Sequence, residues 1–104
     1  MATREHRDGG VTLPRVVPFD PSPLTRLSWK LGSRVVDDDE TILLGRWVHG
    51  ASTRSLSLFR VTDETVLLRV RTPIGRERFY GAARMDLDDA LPELDDAPSW
   101  KRRN

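Results

Sequence analysis

Residues 41–85 read TILLGRWVHG-ASTR-SLSLFRV-TDET-VLLRVRT-PIG-RERFYGAARM. Runs of β-branched, leucine and aromatic residues alternate here with short breaks of Gly, Pro, Asp, Ser and Thr. Such spacing is typical of strands joined by tight turns. We therefore predict a mainly β fold, a small antiparallel meander or partly closed barrel of about five strands, with a short N-terminal helix and flexible termini.

The first hairpin of this stretch joins Arg54–Val61 to Val66–Thr72 through the loop TDET. A four-residue loop, Thr62–Thr65, would pair Val61 with Val66 and fix which side chains share a face. One predicted face holds Ser57, Phe59, Val61, Val66, Leu68 and Val70, and the other holds Leu56, Leu58, Arg60, Leu67, Arg69 and Arg71.

Two strand registers are possible for the second hairpin, residues 66–84. With a three-residue loop, Pro73 starts the turn and Gly75 supplies the positive φ. Glu77 then lies opposite Arg71, and Arg78 falls on the apolar face, where we expect a bulge near residues 78–80 to accommodate it. A loop longer by one residue instead places Phe79 on that face. The hydrophobic pattern leaves both registers open, and the turn residues favour the first.

Outside the strand block, Ser22 and Pro23 fit the start of a short helix over residues 23–31 that Gly32 would close. A strand is the competing interpretation, because Leu27, Trp29 and Leu31 alternate with polar residues. Ser33–Val36 is a further strand candidate, and the acidic residues 37–40 predict an exposed turn. The predicted core comprises Leu27, Trp29, Ile42, Leu44, Trp47, Val48, Phe59, Val61, Val66, Leu68, Val70 and Phe79.

The 104 residues suit one domain. We divide them into a flexible Pro-rich arm (1–22), the β domain with its leading helix (23–85), and a C-terminal tail (86–104) that is first acidic and then basic. Charge is segregated in the same way: residues 24–85 carry eleven bases and seven acids, residues 86–97 six acids, and residues 98–104 three bases. The acidic segment could fold back onto the domain or offer a motif to a partner.

Several classes of function find no support in the residues. The chain has no cysteine, which excludes disulfides and thiolate chemistry. His6 and His49 match no zinc pattern, and Gly50-Ala51-Ser52 lacks the glycines of a nucleophile elbow. No glycine-rich phosphate loop is present. We therefore predict a protein that is not an enzyme and that binds no metal or cofactor.

Location follows from similar reasoning. No apolar run approaches the roughly 20 residues of a membrane helix, and residues 1–10 lack the apolar core of a signal peptide. We expect a cytoplasmic protein that does not associate with membranes.

Arginines are the strongest functional signal, since residues 41–85 carry eight arginines against three acids. Side by side on one sheet face, guanidinium groups could hold carboxylates or phosphates, whereas scattered along an edge they would only be solvated. The predicted binding residues are Arg54, Arg60, Arg69, Arg71, Arg76, Arg78 and Tyr80.

Two functional hypotheses follow. The first is a non-enzymatic interaction or adaptor module that binds a protein partner through its terminal arms and sheet edge. The alternative is a nucleic-acid-binding module that uses an arginine-rich sheet face, with Tyr80 or Trp47 supplying an aromatic surface. The sequence does not indicate an oligomeric state.

Overall fold

A six-stranded antiparallel sheet with a short helix on each face makes up residues 17–103, the part of the chain that the computed structural model describes. The elements in chain order are β1 (Thr25–Leu27), α1 (Trp29–Val36), β2 (Ile42–His49), β3 (Ser55–Arg60), β4 (Thr65–Arg71), β5 (Glu77–Ala83), a 3-10 turn (Arg84–Leu87), α2 (Ala90–Asp96) and β6 (Trp100–Arg102).

The strand order is β1-β5-β4-β3-β2-β6. The predicted mainly β antiparallel fold is confirmed, and β2 to β5 form the expected meander. The sheet is open rather than closed into a barrel, and it gains a sixth strand from the C-terminal segment. Part of the predicted N-terminal arm, residues 1–16, lies outside the described residues.

The N-terminal helix begins later than predicted. Residues 25–27 form a strand that pairs with β5, so the helix starts only after Ser28. The alternative strand through Leu27, Trp29 and Leu31 is correct only at Leu27. The Ser28 hydroxyl accepts a hydrogen bond from the Leu31 N–H at 3.2 Å and thereby caps α1. The predicted helix bounds 23–31 are therefore wrong, as is the strand at 33–36, which is the second half of α1.

The first hairpin has a shorter loop than predicted. The Val61 N–H donates to the Thr65 carbonyl at 2.9 Å, and Phe59 lies opposite Leu67. Only Thr62–Glu64 remain in the loop, so the predicted register was wrong by one residue. The shift moves Phe59 onto the face of Arg69 and Arg71.

The second hairpin has the three-residue loop that the turn residues favour. Glu77 lies opposite Arg71 and Arg78 opposite Val70, and Gly75 has a φ of 91°. The pairing continues through Ala83 without the bulge that we expected. A bulge would be needed only if Phe79 had to reach the face of Arg78 to be buried. The opposite face is also partly apolar, and Phe79 is fully buried there.

The larger core lies on one face, here called the α2 face. Its sheet residues pack against Phe19 and against the C-terminal segment, which contributes Leu87, Ala90, Leu94 and Trp100. The segment expected as a flexible tail is therefore ordered through residue 103, and its residues 101–103 are exposed. Pro92 does not stop α2, because it occupies the first turn, where its missing N–H has no helical partner to lose.

The smaller core lies on the opposite face, here called the α1 face, where Phe59, Leu67 and Phe79 pack against Leu27, Val35, Val36 and Val61. A Cβ on Gly32 would come within 2.2 Å of the Phe79 ring, so the helix approaches the sheet at a residue without a side chain.

The predicted core is correct for its central members, since Trp47, Phe59, Val66, Leu68, Val70 and Phe79 are buried. Two members are wrong: Trp29 is 59% exposed and Ile42 is 45% exposed. The buried residues that the sequence interpretation missed include Leu56 and Leu58, which the incorrect hairpin register had assigned to the face of Arg69 and Arg71. Leu67 does lie on that face but is buried there, and Phe19, Leu87, Leu94 and Trp100 were also missed.

Candidate functional site

The predicted binding residues divide between the two faces of the sheet. Arg69 and Arg71 lie on the α1 face. Arg78 and Tyr80 lie opposite Val70 and Leu68, on the α2 face. The remaining three occupy the ends of strands: Arg54 precedes β3, Arg60 ends β3 and pairs with Asp63 at 3.2 Å, and Arg76 lies exposed after the second turn. The seven residues therefore do not form one surface.

Arg69 and Arg71 instead join two basic residues that were not among the predicted site residues. Antiparallel partners share a face, so the pairing places Arg46, Ser57 and Arg69 in one row across β2, β3 and β4. The adjacent row places Lys101, Val48, Ser55 and Arg71 together. We call Arg46, Arg69, Arg71 and Lys101 the cationic patch.

Glu77 borders the patch and holds part of it in place. The Arg71 Nε donates to Glu77 Oε2 at 2.9 Å, and the Arg71 Nη2 donates to the same oxygen. Arg69 Nη1 lies 3.8 Å from this oxygen, and Trp29 Nε1 donates to Oε1 at 3.3 Å. One carboxylate thus contacts two arginines and an indole.

Arg69 is more enclosed than Arg71, with 18% of its side chain exposed against 41%. Its guanidinium lies 5.2 Å from the centroid of the Phe59 ring. Burial lowers the pKa of Arg69 from its ordinary value, and the neighbouring charge of Arg71 lowers it further, whereas Glu77 raises it. The Arg69 Nε is buried without a hydrogen-bond partner, so an additional anion here would satisfy both charge and geometry.

Ser57 lies between Arg46 and Arg69 and is 1% exposed. Its hydroxyl has no hydrogen-bond partner in the structure. A buried hydroxyl without a hydrogen-bond partner costs about 1–3 kcal/mol. Such a hydroxyl is therefore unusual in the central strand of a folded sheet. The next serine on the same face is Ser55, and its hydroxyl is not among the buried groups that lack a partner.

His49 and Ser52 lie together in the turn between β2 and β3. His49 Nδ1 lies 3.0 Å from Ser52 Oγ and also accepts from the Ser52 backbone N–H at 3.2 Å. The ring is 7% exposed and packs against Trp100, with centroids 4.9 Å apart. This geometry stabilises the turn between β2 and β3.

An open cleft of about 880 Å³ lies at the other end of the sheet. Small residues of β5 (Gly81–Ala83) line it, together with Pro23, Met85 and the acidic residues Asp63, Glu64 and Asp88. Its acids are exposed, and within residues 17–103 no group of three His, Asp or Glu side chains is placed to hold a metal ion.

The sequence contained part of the signal for the patch. Arg46 directly precedes Trp47, and successive strand residues point to opposite faces, so Arg46 is assigned to the face opposite Trp47. Lys101 was missed because residues 98–104 were expected to be a tail. Ser57 was placed opposite to its true face by the register error in the first hairpin.

Comparison with protein-family models, with curated proteins and with solved structures gives no match for this chain. Neither α1 nor α2 has the length or hydropathy that a helix needs to span a bilayer.

Proposed function

We propose that the protein is a non-enzymatic interaction module and that it binds an acidic segment of a protein partner on the cationic patch. The observation that carries this proposal is the placement of four basic residues on one sheet face with Glu77 as the carboxylate between them and α1. Charge complementarity defines the partner: carboxylate side chains match guanidinium groups in geometry and sign.

The terminal segments are less suited to this role than the sequence suggested. Phe19, Leu94 and Trp100 are buried in the core, so binding through these residues would cost the fold its own contacts. The edge of β2 is also partly used, because Arg102 Nη2 donates to the Leu44 carbonyl at 3.0 Å and the Arg103 N–H donates to the Arg46 carbonyl at 2.7 Å. The α1 face beside the helix carries the cationic patch, in which 41% of the Arg71 side chain is exposed.

The composition of this surface supports protein binding. Arginine and tryptophan are enriched at the energetic centres of interfaces. Trp29, 59% exposed, is hydrogen-bonded to Glu77 at the border of the patch, and Leu43, 40% exposed, lies opposite Phe59 on the same face. A partner that carries acidic and apolar residues in alternation could use both features.

The test is fluorescence anisotropy with a labelled peptide of alternating glutamate and leucine. We expect binding at low ionic strength that weakens steeply with salt, because the contacts are charged. The double variant Arg46→Glu/Lys101→Glu should weaken binding by at least about tenfold, since it replaces attraction by repulsion.

The matched control is Arg60→Glu/Arg76→Glu, which changes the net charge equally but acts on residues outside the patch. It should change the affinity by less than about threefold. Equal losses in the two double variants would show attraction to overall charge only, and the proposal would then be wrong, as it would be if the peptide did not bind.

A second candidate is single-stranded nucleic acid, which Trp29 specifically favours because an exposed indole beside arginines can stack a base. The two aromatic residues considered for this role, Tyr80 and Trp47, lie on the α2 face, away from the patch. A labelled oligothymidylate in the same assay distinguishes the two, and Trp29→Ala should then lower its affinity about tenfold.

A further inference from the structure

We propose that the cationic patch contains a subsite for a phosphate monoester, formed by Arg46, Arg69 and the Ser57 hydroxyl, and that the partner segment carries it as phosphoserine or phosphothreonine. This inference rests on the proposed function, because it names the acidic group that the patch would bind. It goes further in assigning the anion to one row of the sheet.

The spacing of the row suits a single anion. Arg46 and Arg69 lie directly opposite Ser57 on its two sides, and neighbouring strands are about 4.8 Å apart, which separates the two arginine Cα atoms by about 10 Å. Side chains of this length can reach the space above the central strand. An anion bound there would be bracketed by two guanidinium groups and would face the serine beneath it.

The donors suit a tetrahedral phosphate better than a carboxylate. A carboxylate has two oxygens, and one arginine can satisfy both with its planar fork. A phosphate monoester has three terminal oxygens and nearly two negative charges at neutral pH. Arg46 and Arg69 flank Ser57 on neighbouring strands, so two guanidinium groups and a hydroxyl could each donate to a different oxygen.

The buried groups without partners fall at this position. The Ser57 hydroxyl and the Arg69 Nε are both enclosed and unsatisfied. Glu77, the nearest carboxylate to Arg69 with a measured contact, is 3.8 Å from it and is already bound by Arg71. An oxyanion would give both orphaned donors an acceptor. The two arginine side chains would have to part to admit it, a rotamer change that is common at binding surfaces.

Nucleic acid fits this subsite less well. Acidic groups limit the patch on the side of α1, where Glu77 contacts Arg71 and where Asp37, at the end of α1, acts electrostatically on Arg69. A polynucleotide needs a basic track for successive phosphates, whereas this row offers two arginines about one serine. One isolated phosphate is the better match.

The experiment compares three labelled peptides of the same sequence, with serine, glutamate or phosphoserine at the centre, by fluorescence anisotropy against the whole chain. We expect the phosphoserine peptide to bind about tenfold more tightly than the glutamate peptide. Ser57→Ala should weaken the phosphoserine peptide about fivefold without changing the glutamate peptide. Ser55→Ala, the neighbouring serine on the same face, should change neither.

The outcomes distinguish the phosphate subsite from the acidic-partner function on which it rests. Equal affinity for phosphoserine and glutamate, or indifference to Ser57→Ala, would overturn the phosphate subsite and leave the acidic-partner function intact. No binding of any peptide would overturn both. Tighter binding of oligothymidylate than of the phosphoserine peptide, at the same salt concentration, would also overturn the subsite and favour nucleic acid.

Discussion

Removal of residues 86–104 is expected to leave a chain that does not fold. This segment supplies Leu87, Leu94 and Trp100 to the core of the α2 face, and the truncation would expose the sheet residues beneath them. It would also remove β6 from the edge of β2 and the hydrogen bond from Trp47 Nε1 to Asp95 Oδ1 at 2.9 Å. We expect a circular dichroism spectrum and a proteolysis pattern of an unfolded chain.

A single substitution in the C-terminal segment tests the same packing with a smaller perturbation. Leu94 is fully buried, so Leu94→Ala should lower the free energy of unfolding by about 3 kcal/mol. Met85→Ala is the control, because Met85 is 80% exposed and its truncation should cost less than about 0.5 kcal/mol. Urea denaturation measures both. A truncated chain that unfolds cooperatively with nearly full stability would refute this account of the C-terminal segment.

Gly32→Ala is expected to destabilise the protein by about 3 kcal/mol, although alanine is the better helix former. The added methyl group would lie 2.2 Å from the Phe79 Cγ and 2.5 Å from its Cβ. Phe79 is fully buried, so it cannot move aside without disturbing the sheet. The helix would have to lift away from β5 and give up part of the α1-face core.

Denaturation with urea again measures the effect. Gly50→Ala is the matched control, since the nearest atom to its added Cβ would be 3.8 Å away. The double variant Gly32→Ala/Phe79→Leu should lose less stability than the two single variants predict together, because the smaller side chain relieves the clash. A Gly32→Ala protein that is stabilised by about 1 kcal/mol, as helix propensity alone would give, would contradict the close packing.

The two hairpins show when turn residues are sufficient to predict the strand register. In the second, Pro73 and Gly75 restrict the backbone enough to select the correct register against the apparent conflict at Arg78. In the first, Thr62–Thr65 contains neither glycine nor proline, so the loop length was chosen from the hydrophobic pattern alone. That pattern is ambiguous when both faces of a sheet are covered, because leucines then occur at odd and even positions.

The candidate site was harder to predict than the fold for the same reason. A patch depends on which residues from several strands share a face, and one register error reverses a whole strand. Arg69 and Arg71 were found because they alternate within a single strand. Arg46 and Lys101 join them only through pairings between β2, β3 and β6, which connect distant parts of the chain.

The short strands β1 and β6 at the two edges have a consequence for the order in which the protein opens. Each edge strand pairs with a strand far from it in sequence, β1 with β5 and β6 with β2, over three residues. Long loops make such pairings costly in chain entropy, and few hydrogen bonds hold them. We expect the edges to detach in local fluctuations while the meander stays closed, so amide hydrogens of β1 and β6 should exchange sooner than those of β3 and β4.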